Sequence, residues 1–383
     1  MLESSGTRIG ILGAGAWGTA IGKVLAEKGL PVDIWSFEQQ VAADINHRHT
    51  NERYLPGVML PPLLRASPDL MSVADDRDHL LIAIPSLYVL SSIKQILGCV
   101  NIREGRTIIS ILTKGFIETP SGIRLITEAM EDYLPGMYRG KLVYVSGPSQ
   151  AIEVSQGKIT GLISASRSGR NSIRVRELLS GESLVVFSSL DVRGVQISAA
   201  LKNVIALAFG MLDALKESTD QFGDNTESLL LAAGLNEIQV LGRAMGATHP
   251  ETFTSIAGVG DLDVTCRSVH GRNRRFGREI ILKKLIEHCR SIDEVIAGLP
   301  SFGYIAEGVV TAKWVSSLAA QRKLVLPIIE GVYRILNREA EPLTELGTML
   351  DRIISRSRGR RWRGPSALLR GTAEWASRLT HRG

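Results

Sequence analysis

Cysteine is scarce in this chain of 383 residues: only Cys99, Cys266 and Cys289 occur. Their odd number and spacing give no disulfide framework and no thiolate metal site, so no metal is expected. A reducing, cytoplasmic compartment fits that usage. Long clean hydrophobic runs are missing too. The best candidate, residues 196–212 ("QISAALKNVIALAFGML"), is short for a bilayer span and carries Lys202 near its middle. No charged-then-apolar leader precedes "TRIGILGAGAWG", and no targeting segment is expected. Net positive charge is absent from the body despite a net +6 for the whole chain. Residues 351–383 hold nine arginines and no lysine against Asp351 and Glu374, which leaves 36 basic and 37 acidic side chains in residues 1–350. A nucleic-acid partner is therefore not expected.

What is present fits an α/β enzyme of two domains. Length allows two cores, and the hydrophobic fraction is 44% with 5% aromatics. Short apolar runs stand at 8–12, 32–35, 79–84, 107–112, 142–146, 161–165 and 184–188. Stretches of helical length, such as 18–29, 86–97 and 121–132, separate most of them. Runs apolar on both faces predict a parallel sheet covered by helices on both sides. Past residue 190 the pattern turns helical, over 193–216, 225–247, 275–288, 308–321 and 327–338. We therefore expect a doubly wound, Rossmann-type sheet over 1–190, an all-helical domain over 191–350, and a basic tail over 351–383, read as disordered.

Gly13-Ala14-Gly15-Ala16-Trp17-Gly18 follows an apolar strand and opens a helix. In that setting Gly13 permits the turn, Gly15 lets backbone approach a pyrophosphate, and Gly18 lets helix and strand pack closely. The free N–H groups of the helix start then meet the anion. A plain strand–turn–helix is the alternative. The next strand ends at Trp35-Ser36-Phe37-Glu38, without arginine. Glu38 pointing inward would repel a 2′-phosphate, which leans toward NAD over NADP; it is otherwise the solvated start of the next helix.

Three further segments put polar residues where a core would not want them. Lys114 stands directly after a core strand, at the carboxyl edge where open α/β sheets bind ligands. Asp261 and Thr265 share one helical face at i, i+4, although Asp261 could simply be a helix cap. "GRNRRFGRE" (271–279) clusters Arg272, Asn273, Arg274, Arg275 and Arg278, either as a solvated patch or as an Arg–Asn phosphate clamp. Lys202 and Asn203, inside the apolar run, are expensive to bury without partners.

Taken in order, Gly13–Gly18, "NERYLPG" (51–57), Lys114-Gly115, "GPSQA" (147–151), "ALKNVIALAFG" (200–210), "GVGDLDVTC" (258–266), "GRNRRFG" (271–277) and "AEG" (306–308) resemble the bacterial-type NAD(P)-dependent glycerol-3-phosphate dehydrogenases. The resemblance covers about residues 8–340. It implies reversible reduction of dihydroxyacetone phosphate to sn-glycerol 3-phosphate, a phospholipid precursor. By the same resemblance Lys202 is the general acid/base, and Lys114, Gly147, Ser149, Asp261, Arg272 and Asn273 meet the substrate. Asn203 and Thr265 complete the polar shell. Ala16, Trp17, Phe37, Tyr54, Ala151, Ile305 and Glu307 fall at cofactor positions beside the glycines, with Lys114 and Arg272 also near the cofactor. The chain departs from the pattern at Gln150, Gly271 and Glu38; the last two bear on phosphate contacts and on NADP use.

A proton must reach the alkoxide formed as hydride adds to the ketone, and a lysine can deliver it. An apolar helix disfavours the ammonium of Lys202, Lys114 pushes the same way, and Asp261 opposes the shift and orients Lys202. A two-domain 2- or 3-hydroxyacid dehydrogenase and a non-catalytic nucleotide sensor are the competing readings. Paired apolar helices suggest a homodimer. In the tail, Leu368, Leu369, Trp375 and Leu379 would share one face of a helix starting after Pro365, a candidate membrane-surface contact, with Gly371 against it.

Overall fold

A computed structural model of the chain describes residues 6–217, 222–268, 271–302 and 306–357. Ile305 and the proposed helix after Pro365 lie outside the described residues. The chain divides into two compact units, Met1–Ala199 with Gly246–Asp261, and Ala200–Met245 with Leu262–Gly383. The chain passes between them at 199/200 and 261/262, inside helices, and at 245/246, just after one.

The first unit is built on eight strands: β1 (Ile9–Leu12), β2 (Val32–Trp35), β3 (Leu64–Ser67), β4 (His79–Ile82), β5 (Ile108–Ile111), β6 (Val143–Ser146), β7 (Thr160–Ala165) and β8 (Leu184–Ser189). They lie in the order β8-β7-β6-β5-β4-β1-β2-β3. From β3 to β6 this is the 3-2-1-4-5-6 order of the dinucleotide-binding sheet, with its switch point between β1 and β4. The alternation of apolar residues explains why helices cover both faces. Ile9 and Ile11 of β1 join Val32, Ile34 and Leu81 in one core cluster. Leu12 joins Leu80, Ile82, Ile109 and Ile111 in the other.

The sheet is not wholly parallel. β7 runs antiparallel to β6, and β8 then runs parallel to β7. The helix in the β6–β7 connection, Ala151–Ser155, is too short to carry the chain back along the sheet. The helix expected over 121–132 is half strand: Phe116–Thr119 and Gly122–Leu125 form a hairpin, and helix follows only at Ile126–Glu131. Gly122, at φ 107°, turns the chain where a helix would have to continue.

The second unit is helical. It takes over partway along the long helix α2 (Val192–Lys216), which begins where Asp191 accepts from Gly194 N at 3.0 Å. We number α1 as Ala16–Glu27, in the first unit. After α2 come α3 (Asp224–Ala244), α4 (Asp261–Arg267), α5 (Arg272–Leu282), α6 (Glu307–Gln321), α7 (Pro327–Leu336) and α8 (Pro342–Ser357). The chain is thus still helical past residue 350, to Ser357. By length and hydropathy α2 is a candidate membrane span, which the narrower window 196–212 had excluded; its apolar stretch is wholly buried, as in a core helix. Another buried charge here is structural: Glu237 accepts from Ile328 N and Ile329 N, at 2.7 and 3.1 Å, and so caps α7.

Candidate functional site

The glycine loop lies at the sheet's switch point. Gly13, at φ 117°, donates its N–H to Trp35 O at 3.1 Å, and a Cβ there would sit 2.7 Å from Ala83 O. Only glycine fits. Gly15 stands at the start of α1 with no side-chain cap, and a Cβ there would meet nothing within 4 Å. The loop therefore offers uncapped helical N–H groups with open space before them, which suits a pyrophosphate. Ala16 and Trp17 form the first turn of α1, and Ala151 opens the short helix after β6. Phe37 is 82% exposed after β2 and Tyr54 is half-exposed on the turn before Leu55.

The carboxyl edge of β5 and β6 carries a buried charge cluster. Asp261 is fully buried, and its Oδ2 lies 3.3 Å from Lys114 Nζ and accepts from Ser146 Oγ at 3.2 Å. Lys114 comes from the loop after β5, which Thr113 anchors by donating to Ile84 O at 2.6 Å. Ser149 Oγ donates to Gly147 O at 2.9 Å in the turn after β6. A buried carboxylate needs such partners. Ser146 was not singled out from the sequence. Its signal was a hydroxyl ending an otherwise apolar strand, just before Gly147-Pro148.

In the helical unit Lys202 is 5% exposed and Asn203 is equally buried on α2. Asn273 Nδ2 donates to Asn203 Oδ1 at 3.0 Å, and Gly308 N donates to Asn273 Oδ1 at 2.9 Å. The start of α6 thereby fixes the orientation of the Asn273 amide, which in turn fixes that of Asn203. The Asn203 amide N–H groups are left as its donors toward other acceptors. Thr265 is buried on α4, and Glu307 is the first residue of α6. Burial pushes the Cys266 thiol well up, while the ammonium of Lys202 pulls it down.

The arginine cluster sorts itself. Arg274 pairs with Asp213, Nε to Oδ2 at 2.5 Å and Nη2 to Oδ1 at 3.0 Å. Arg275 pairs with Glu279 at 3.0 Å and Arg278 with Glu217 at 2.5 Å. Arg272, exposed at the first turn of α5, has no side-chain ion pair or hydrogen bond among the described residues. Three of the four arginines thus pair with carboxylates, and Arg272 does not among the described residues. Cys99, Cys266 and Cys289 are buried and unbridged, and no group of three His, Cys, Asp or Glu side chains among the described residues could hold a metal.

Comparison with known proteins agrees across both units. The NAD-dependent glycerol-3-phosphate dehydrogenase N-terminus family matches residues 8–172, and the corresponding C-terminus family matches residues 191–346. A glycerol-3-phosphate dehydrogenase (NAD(P)+) of Treponema denticola is 51% identical over 90% of this chain and 98% of its own length. That of Latilactobacillus sakei is 36% identical over 90% and 96%. The crystal structure of glycerol-3-phosphate dehydrogenase from Coxiella burnetii superposes with TM-score 0.78 at 31% identity, covering 90% of this chain and 99% of that one. A ketopantoate reductase from Ralstonia eutropha, at 15% identity and TM-score 0.51 over 90% of this chain and all of its own, shares the fold alone.

Proposed function

This chain belongs to the NAD-dependent glycerol-3-phosphate dehydrogenase family, and from that membership we propose that it reversibly reduces dihydroxyacetone phosphate to sn-glycerol 3-phosphate with NAD(P)H. The observation that carries the assignment is the sorted arginine cluster. Arg272 is kept free of carboxylates beside Asn273, as binding of a phosphate dianion requires. The glycine loop suits NAD or NADP, which when bound supplies the hydride to the substrate ketone. Lys202 gives the proton to the resulting oxygen. Asn203 and Asn273 hydrogen-bond substrate, with Thr265 completing the polar shell. Gly147 and Ser149 contribute at the turn after β6. Lys114 adds positive charge and Asp261 holds Lys114 in position. Phe37, Tyr54, Ala151, Ile305 and Glu307 are assigned to the cofactor.

Nicotinamide absorbance tests this directly. Purified protein is expected to oxidise NADH or NADPH with dihydroxyacetone phosphate and not with unphosphorylated dihydroxyacetone. Turnover of a 2- or 3-hydroxyacid or its ketoacid instead would reassign the substrate. No turnover with either cofactor would point to a nucleotide sensor.

We extend the proposal to a cytoplasmic homodimer whose product enters glycerophospholipid synthesis. Buried, unbridged cysteines support a reducing compartment. β8 supports a second copy: it is an outer strand with no charged residue, and Val185 and Phe187 are 44% and 49% exposed on it. Sedimentation equilibrium is expected to give twice the chain mass, and Phe187→Lys to halve it.

A further inference from the structure

The end of β2 carries a cluster that hydride transfer does not use. Glu38 starts the helix Gln39–Arg48, and its Oε1 accepts from Tyr54 Oη at 2.5 Å. Arg53 Nε lies 3.6 Å from the same oxygen, and the Arg53 guanidinium stands 5.5 Å from the centre of the Tyr54 ring. Both neighbours address Oε1, so Glu38 Oε2 has no hydrogen-bond donor among the described residues. Partial burial, together with the Glu38 hydrogen bond, raises the pKa of Tyr54 and keeps the phenol a donor.

The turn carrying Arg53 and Tyr54 is fastened to the glycine loop. Buried Asn51 donates through Nδ2 to Ala14 O and to Thr19 Oγ1, each at 2.8 Å. Glu38, Arg53 and Tyr54 therefore stand beside the cofactor loop at the end of β2, where this fold meets the adenosine ribose. A carboxylate there accepts from a 2′-hydroxyl and repels a 2′-phosphate; an arginine there takes the 2′-phosphate. This chain has both, one neutralising the other.

Resting on the dehydrogenase reading above, we propose that Glu38 and Arg53 form a masked selector for the adenosine ribose. The open Oε2 of Glu38 takes the 2′-hydroxyl and makes the enzyme selective for NAD(H). The cation that NADP(H) needs is already in place, held by Glu38. Removing the carboxylate charge alone unmasks it. The selector resides in the pairing of the two residues, so an arginine near β2 does not by itself predict NADP use.

Calorimetric titration of the full chain with ADP-ribose and 2′-phospho-ADP-ribose reads this without any hydride chemistry. Wild type is expected to bind ADP-ribose at least about tenfold more tightly. Glu38→Gln, which keeps a Tyr54 acceptor, should shift the ratio toward the phosphorylated ligand by about tenfold or more. Glu38→Gln with Arg53→Met should take that gain back. Equal wild-type affinities, an unchanged ratio in Glu38→Gln, or a gain surviving the loss of Arg53 would each overturn the selector. Failure of wild type to bind either ligand would overturn the dinucleotide site along with it, whereas ADP-ribose binding without discrimination overturns the selector alone.

Discussion

A Lys202→Met enzyme is expected to lose about 10²–10⁴-fold in kcat, the range that a positioned acid/base contributes, while its affinity for ADP-ribose stays at the wild-type value. Lys202 is 5% exposed on α2, and methionine is an unbranched chain of similar reach that adapts to the space a lysine stem fills. What methionine cannot do is give a proton to the oxygen of the reduced ketone. The pH profile separates that loss from a packing defect. Reduction needs the ammonium form, so the wild-type rate should fall on the basic side as the proton leaves. The residual rate of Lys202→Met should lack that fall. Turnover within about threefold of wild type, well short of the acid/base range, would remove Lys202 from the chemistry and leave it a buried structural cation of the kind Glu237 is among the anions.

The distinction between Lys202 and Glu237 marks where the sequence stops being readable. Both are charges buried on long helices. Only the fold reveals that Glu237 caps α7, because Ile328 and Ile329 stand some ninety positions away. The glycine loop was readable for the opposite reason: its strand, turn and helix start are contiguous, and the turn chemistry is local. The sheet and the helical second half were likewise legible through periodicity. β3 was not, since it is four residues with Arg65 exposed at the sheet's edge, too short and too polar to show a pattern. The hairpin over 116–125 had only short, four-residue strands, and its local signal was the turn Pro120-Ser121-Gly122. The arginine cluster was visible as a cluster and no more. Two of its three carboxylate pairs depend on Asp213 and Glu217, about sixty positions upstream. In the same way "NERYLPG" exposed Arg53, yet its contact with Glu38 is visible only in the fold.

Gly210→Ala and Gly277→Ala are each expected to destabilise the protein by about 2 kcal/mol or more, against the usual sign for such a change. Replacing glycine by alanine within a helix normally gains about 1 kcal/mol. Here the helices α2 and α5 cross backbone to backbone. A Cβ at Gly210 would run into the carbonyl of Arg274 and lie 2.8 Å from Arg278 N. A Cβ at Gly277 would run into the carbonyl of Leu207 and lie 2.9 Å from its carbonyl carbon. The obstructing atoms are main chain, so no rotamer relieves them, which puts the cost at or above the top of the usual overpacking range of about 1–3 kcal/mol. The same crossing carries the Asp213–Arg274 pair and sets Asn273 against Asn203 at 3.0 Å. Forcing the helices apart should therefore lower kcat/KM as well as the urea midpoint. Because the two glycines face each other's helix across one contact, the first alanine already opens the space the second needs. The double variant should then lose little more than the worse single variant, a strong departure from additivity. Additive losses would mean that each glycine is accommodated separately and that the crossing does not position Asn273 as one rigid joint.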